Sequence, residues 1–169
     1  MRTTWTLDGA QSDVLIKLKH NVIAYLDGGN NTFDGHIDID NNTIEDASIA
    51  FLLNVNTIQE RKKQYHMQEI IDIKHYPVIS FKSTSFEKIT NNINFLKGKL
   101  TIQNITRAVE LDAEFIGFNA YNGHKKAAFE ITGKINRHDF NIAKSDYPSY
   151  MQTNNGRELK LIANLEFTI

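Results

Sequence analysis

The chain has no cysteine and only two prolines in 169 residues, and both scarcities are informative. Without cysteine it can form no disulfide bond and use no thiolate as a nucleophile. Pro77 and Pro148 both fall at strand or loop boundaries, so no proline interrupts a predicted strand. No apolar run is long enough to cross a bilayer or to act as a signal peptide. As written, the sequence predicts a cytoplasmic protein, or a periplasmic or secreted one if it is the mature part of a longer precursor.

Charge of one sign does not dominate either. There are 19 Lys and Arg residues against 20 Asp and Glu, which gives a net charge of -1 and a pI near 6.6. This balance provides no whole-molecule attraction to nucleic acid. The sequence also lacks a glycine-rich phosphate loop, a Rossmann fingerprint and a nucleophile elbow. We therefore expect a protein that is not an enzyme and uses no cofactor, folded as one domain over residues 1–169.

The last segment shows the pattern that dominates the chain. Every second residue is apolar, and the residues between them are polar except for Ile162. Side chains of a strand point to alternate faces, so such a run buries one face and exposes the other to water. The apolar positions are Leu159, Leu161, Ala163, Leu165, Phe167 and Ile169.

The same two-residue period predicts nine strands, separated by turns rich in Asn, Gly and Asp. A sheet with one apolar face must pack on a second layer or curl around its own interior, and there is too little predicted helix to supply that layer. We therefore expect an all-β, lipocalin-like antiparallel barrel of about eight strands, with a collapsed sandwich as the alternative. The predicted strands cover residues 4–8, 12–20, 32–40, 46–56, 77–86, 92–103, 107–118, 126–137 and 158–169.

One stretch departs from the two-residue period. Thr57-Ile58-Gln59-Glu60 has the form of a capping box, in which a Thr and a Glu satisfy backbone donors at the start of a helix. Apolar residues then recur at three- and four-residue spacing, and Pro77 disfavours helix in the residue before it. We therefore predict one helix over about residues 58–73, packed at the side or the end of the barrel.

Four blocks of residues are more specific than this pattern, and they occur in order along nearly the whole chain. The first is Trp5-x-Leu7-Asp8 with Ser12-x-Val14 and Lys19-His20, and the second is Thr57 and Arg61 with Ile70-Ile71-Asp72 and Tyr76-Pro77-x-Ile79-x-Phe81-Lys82-Ser83. The third is Gly98-x-Leu100-Thr101-Ile102 with Ile105-Thr106 and Val109-x-Leu111, and the fourth is Phe129-x-x-x-Gly133-x-Ile135-Asn136-Arg137-x-Asp139-Phe140. Together the blocks resemble the YceI-like family of polyisoprenoid-binding proteins.

This resemblance implies a lipocalin-like barrel that encloses an elongated hydrophobic channel. It also implies that the channel holds a polyprenyl chain, the tail of an isoprenoid quinone or a similar amphiphile. We therefore expect a bacterial protein that binds such a lipid, with transport or storage as its wider role. Its expected partner is this apolar small molecule, without nucleic acid and without an integral membrane span, and a homodimer is one possible assembly.

An apolar tail needs an apolar wall, so the expected ligand-binding residues are inward-facing aliphatic and aromatic side chains. For each of them, plain core packing is the alternative. The expected wall residues on strands are Ile16, Leu18, Phe33, Phe51, Leu53, Phe81, Leu100, Leu111, Phe115, Phe129 and Ile131. The helix would add Met67, Ile70 and Ile71 at one end of the channel.

Polar head groups need donors, and the candidates near strand or helix ends are Lys19, His20, Arg61 and Arg137. An arginine can fork onto a phosphate or donate to a quinone oxygen. A structural role at the barrel rim is the alternative for Arg137, and a solvated helix face is the alternative for Arg61.

Two other functions remain open at this point. His66, Glu69 and His75 could bring two imidazoles and a carboxylate to a metal, as in a hydrolase, but the second His of a helical i, i+4 zinc site is missing. A non-catalytic scaffold for protein interaction would instead need an exposed apolar patch. Tyr147, Tyr150 and Met151 could form that patch, or could equally cover the mouth of the channel.

Overall fold

The computed structural model describes residues 2–18, 21–29, 31–40, 47–55, 75–88, 93–121, 123–140 and 158–169. These residues form ten antiparallel β-strands and two short 3-10 turns, at Gly9–Gln11 and Arg137–Phe140. The strands are β1 (Arg2–Leu7), β2 (Asp13–Leu18), β3 (Asn21–Asp27), β4 (Thr32–Asp40), β5 (Ala47–Asn54), β6 (Val78–Lys88), β7 (Ile93–Ile102), β8 (Ile105–Tyr121), β9 (His124–Asn136) and β10 (Glu158–Thr168).

Eight of the strands close into a barrel. β1 pairs with β4, every strand from β4 to β9 pairs with its successor, and β10 pairs back with β1. The expectation of an all-β, lipocalin-like barrel is therefore confirmed, and the sandwich alternative is wrong, because the pairing of β1 with β10 closes these eight strands into a ring.

The remaining two strands, β2 and β3, form a hairpin that extends the sheet from β10. The sequence pattern did not predict β3. The pairing register between β2 and β3 shifts between Ile16 and Lys17, and this irregularity breaks the continuity of the alternating pattern from β2 into β3.

The predicted helix over about 58–73 lies outside the described residues, as do Tyr147, Tyr150 and Met151. The nine predicted strands each correspond to a strand of the structure, with boundaries that differ by a few residues. Within the described ranges, no helix combines the length and the apolar character that a membrane span requires.

Alternation of side chains puts the core inside the barrel. In β7 the inward positions from Asn94 to Ile102 are all buried, and the residues between them are exposed or half-buried. The turn that follows has both residues in the left-handed region, Gln103 at φ 52° and Asn104 at φ 63°. Two such residues match the twist of a tight hairpin, and this turn sends the chain directly into β8.

The junction between β1 and β10, where the barrel closes, is short. Only two residue pairs join these strands, Thr6 with Thr168 and Leu7 with Phe167. Next to them, the Asp8 amide donates to the Glu166 carbonyl at 2.7 Å. We call this junction the seam.

Two polar side chains reinforce the seam. Nζ of Lys126 on β9 lies 2.6 Å from Oδ2 of Asp8 and donates to Oγ1 of Thr168 at 2.9 Å. Oγ of Ser12 accepts from the Glu166 amide at 3.2 Å and donates to the Asp8 carbonyl at 2.9 Å. Asp8 and Ser12, two residues of the first sequence block, therefore hold the barrel closed.

Candidate functional site

The barrel encloses an apolar cavity of about 80 Å3. Every described residue that lines it is aliphatic, aromatic or glycine, so the cavity presents no polar side-chain atom to its contents. The lining consists of Val14, Ile16, Leu26, Ile49, Phe51, Leu53, Ile79, Phe81, Leu100, Ile102, Leu111, Ile131, Gly133, Leu161, Ala163 and Leu165.

Two inward-facing glycines shape this cavity by making room for larger neighbours. A Cβ atom at Gly98 would collide with the ring of Phe81, and one at Gly133 would collide with Cδ2 of Leu111. Each large side chain therefore lies partly in the space above a glycine on the adjacent strand. A methyl group at either position would force Phe81 or Leu111 towards the cavity.

The cavity lies towards the end of the barrel at which β5 ends and β6 begins. Leu53, Ile79 and Ile102 line it and are the last inward residues of their strands at this end. The opposite end is the one at which β8 turns into β9, and the cavity does not reach it.

A cluster of five aromatic rings fills the barrel towards the β8–β9 end, and we call it the aromatic floor. Phe129 is its centre, with ring centroids 5.3 Å from Phe115, 5.8 Å from Phe167 and 6.4 Å from Trp5. Phe118 completes it, 4.8 Å from Phe115 and 6.3 Å from Trp5. Ring pairs at such tilted and edge-on geometries stabilise each other by roughly 0.5–1.5 kcal/mol beyond the area they bury.

The chain reaches Phe118 through a bulge. Phe115 pairs with Phe129, but Gly117 pairs with Ala128, so Ile116 is an extra residue on β8. The bulge reverses the facing of the following residues, which turns Phe118 towards the barrel end and leaves Ile116 exposed. Nζ of Lys125 lies 4.3 Å from the centroid of the Phe118 ring, where a cation is attracted to the ring face.

Seven of the eleven strand residues expected in the wall meet in the cavity. Those that line it are Ile16, Phe51, Leu53, Phe81, Leu100, Leu111 and Ile131. Phe115 and Phe129 point inwards but belong to the aromatic floor, and Phe33 packs on Phe51 with ring centroids 5.7 Å apart without lining the cavity. Ligand contact by all these residues stays a prediction.

The structure leaves several other expected site residues undescribed. Six of them lie outside the described residues: Met67, Ile70, Ile71, Lys19, His20 and Arg61. For Leu18, the structure describes only its backbone, as the last residue of β2. His66 and Glu69 of the metal alternative are also outside them. Among the residues that are described, no group of three His, Cys, Asp or Glu side chains could hold a metal ion.

Arg137 is the one head-group candidate whose position is described. It continues the inward row of β9 past Gly133 and Ile135, and its side chain is 1% exposed. The 3-10 turn that it begins is tied to the β7–β8 turn, because Nε2 of Gln103 donates to the Phe140 carbonyl at 2.9 Å. The fold thus places a guanidinium at the same end of the barrel as the cavity.

The ligand-binding residues expected from the sequence did not include more than half of the residues that line the cavity. Leu161, Ala163 and Leu165 come from β10, whose alternation was the clearest in the chain, so that signal could have identified them. Leu26 could not be identified, because its strand was not predicted.

An eight-stranded antiparallel barrel with a wholly apolar cavity defines a protein of the lipocalin-like architectural class. Residues 5–167 match the family model described as the YceI-like domain. The chain therefore belongs to the YceI-like family.

Comparison with individual proteins agrees with this assignment. Protein YceI of Salmonella newport is 28% identical over 164 residues, which cover 94% of this chain and 82% of the relative. The crystal structure of BcnA from Burkholderia cenocepacia superposes with a TM-score of 0.66 at 17% identity, covering 95% of this chain and 98% of that one. A polyisoprenoid binding domain from Saccharophagus degradans, implicated in plant cell wall breakdown, has a TM-score of 0.50 at 9% identity, with 97% of each chain covered. At these identities the two structures show a shared fold.

Proposed function

We propose that this protein binds the apolar tail of an isoprenoid-type lipid inside the barrel, and that it transports or stores that lipid. The observation that carries the proposal is the cavity lining, in which sixteen described residues contribute no polar side-chain atom. A polyprenyl chain has no polar atom along its length, so it requires no hydrogen-bonding partner from such a wall. The polyisoprenoid-binding domain of the same fold supports the choice of ligand class.

The gain from burying such a tail is large enough for useful affinity. Each buried carbon contributes about 0.8 kcal/mol, so a five-carbon unit contributes at most about 4 kcal/mol. Losses of translational, rotational and side-chain freedom reduce the net value considerably. Two or three buried units are therefore enough for binding.

The cavity must widen to accept them. Its volume is about 80 Å3, whereas an apolar cavity of about 150 Å3 holds a molecule as small as benzene. Lining side chains therefore have to change rotamer when a tail enters, and part of the burial energy offsets the packing contacts they lose. We expect the ligand-bound barrel to have a larger and longer cavity than the free one.

Arg137 is the residue that we propose for the head group. A buried guanidinium at the cavity end can direct paired N–H donors to a phosphate or to a quinone oxygen. With a polar contact only at one end, the lipid would bind with its head towards the β5–β6 end and its tail towards the aromatic floor. The proposed function is therefore binding of the lipid, with no reaction on it.

The test is to fill the cavity from within. Ala163 lines it from β10, so Ala163→Leu adds three carbons to the space that a tail would occupy. Isoprenoid alcohols of two to eight five-carbon units are titrated against the wild type and the variant, and lipid that co-purifies with each is extracted and identified by mass spectrometry. We expect wild-type affinity to rise with tail length and Ala163→Leu to weaken binding at least tenfold.

The matched control is Ala108→Leu, which adds the same three carbons at an exposed position on β8. It should bind as the wild type does. Overpacking of a core costs about 1–3 kcal/mol, so thermal unfolding is used to check that both variants are folded. Absence of isoprenoid binding by the wild type, or equal binding by a folded Ala163→Leu variant, would show that the cavity is not a lipid site.

A further inference from the structure

The aromatic floor lies directly beyond the deepest lining of the cavity. Leu165 of β10 lines the cavity and pairs with Phe129 of β9, and the next inward residue of β10 is Phe167. Similarly, Ile131 lines the cavity, and Phe129 is the next inward residue of β9 towards the β8–β9 end. A tail that descends along β9 and β10 therefore meets the ring of Phe129 first.

Phe129 contacts more rings than any other member of the floor. Its side chain is 3% exposed and it contacts three of the other four rings, whereas Phe118 at the outer side of the cluster is 50% exposed. A ring fixed by packing on several sides forms a rigid wall, because moving it would open voids around every neighbour. Phe118 pairs with Ala127 and so lies nearer to the β8–β9 turn than Phe129 does. It would still cover this end of the barrel if the Phe129 ring were removed.

The spacing of inward residues matches the repeat of an isoprenoid. Successive inward positions are two residues apart, about 6.6 Å along a strand, or roughly 5 Å along the axis of a barrel whose strands tilt by about 40°. A five-carbon unit contributes four bonds of about 1.5 Å to the extended chain, which also advances it by roughly 5 Å. One layer of inward side chains therefore corresponds to one isoprenoid unit.

Given the proposed lipid-binding function, on which this step rests, we infer that Phe129 sets the longest tail the barrel can bury. Units up to the Phe129 ring gain burial energy, and any further unit stays in water. Affinity should then rise with each unit and stop rising at a fixed number. Shortening the side chain at position 129 should move that number up by one, because one layer of the floor becomes part of the cavity.

The experiment measures affinity against tail length, in steps of one five-carbon unit, for the wild type, Phe129→Ala and Phe129→Leu. We expect the wild type to reach its plateau at some number of units and Phe129→Ala to reach it one unit later, with about tenfold tighter binding of that longer alcohol. Phe129→Leu keeps most of the core volume and covers the case in which Phe129→Ala fails to fold. It should shift the affinity of the longer alcohol in the same direction by a smaller factor.

The matched control is Phe86→Leu, which truncates another buried ring, on β6, that belongs neither to the floor nor to the cavity lining. It should leave the plateau at the wild-type length. If the wild type shows a plateau that the folded Phe129 variants keep, or shows no plateau at all, the assignment of Phe129 is overturned while the lipid site stands. If the wild type binds no isoprenoid of any length, the proposed function itself fails.

Discussion

The seam provides the most direct test of what holds this barrel closed. Lys126 is 8% exposed, and its ammonium group contacts Asp8 Oδ2 at 2.6 Å and Thr168 Oγ1 at 2.9 Å. Lys126→Met keeps most of the aliphatic stem and removes only the charge and the donors. The Asp8 carboxylate, 24% exposed, is then left partly dehydrated without its counter-ion.

The expected cost lies between two known limits. Breaking a fully buried ion pair costs about 3–5 kcal/mol, and an exposed pair contributes about 0.2–1 kcal/mol. With one partner buried and the other a quarter exposed, we expect Lys126→Met to lower the free energy of unfolding by about 2–3 kcal/mol. For a domain of this size that corresponds to a fall in Tm of roughly 4–12 °C.

The same strand supplies the control. Lys134 on β9 forms an ion pair with Glu158 at 3.5 Å, but the two side chains are 68% and 60% exposed. Lys134→Met should therefore cost less than about 1 kcal/mol, and high salt should remove most of that difference. The measurement is urea unfolding of both variants, of Asp8→Asn and of the double variant Asp8→Asn with Lys126→Met. Equal costs for the two lysine variants, or a double-variant cycle without coupling between Asp8 and Lys126, would refute this account of the seam.

Three further outcomes are expected. Burial, the negative charge of Asp13 and a 3.1 Å hydrogen bond from the Tyr25 hydroxyl to Asp13 raise the pKa of Tyr25 above 10.0. The stabilisation from this raised pKa is present below pH 10 and is lost as the pH rises through the folded-state pKa. Because Asp13 contributes both a charge and the hydrogen bond, Asp13→Asn should lower the pKa of Tyr25 in a tyrosinate absorbance titration. Asn94 is 4% exposed and its Oδ1 has no hydrogen-bond partner among the described residues, so Asn94→Leu should raise the urea midpoint by an amount equivalent to about 1 kcal/mol, and a lower midpoint would contradict this. Arg137→Lys should weaken binding of prenyl phosphates by about tenfold and leave prenyl alcohols unaffected, because lysine keeps the charge but loses the paired donors; equal effects on both ligands would exclude a head-group role.

The inward face of the barrel could be predicted from the sequence because it depends only on local alternation. Leu96, Leu100 and Ile102 are buried as their parity requires, and the residues between them are not. The β2–β3 hairpin shows where this reasoning fails. The register shift after Ile16 interrupts the continuous alternation that the prediction needs.

The division of the interior into cavity and floor could not be predicted, because it depends on how strands are staggered around the barrel. Parity identifies Phe129 and Ile131 as inward in the same way, yet one belongs to the floor and the other lines the cavity. The stagger is set by pairings such as Leu7 with Phe167, between residues far apart in sequence. The same long-range pairing decides between a barrel and a sandwich.

The position of β10 also has a consequence for how the protein is made. It is the last of the ten strands in chain order, and it pairs with β9, β2 and β1. While the polypeptide is still emerging from the ribosome, those three strands have unpaired edges that can join with other nascent chains. Ring closure then has to wait for contacts across almost the entire sequence, so we expect slow folding and a need for protection from aggregation during synthesis.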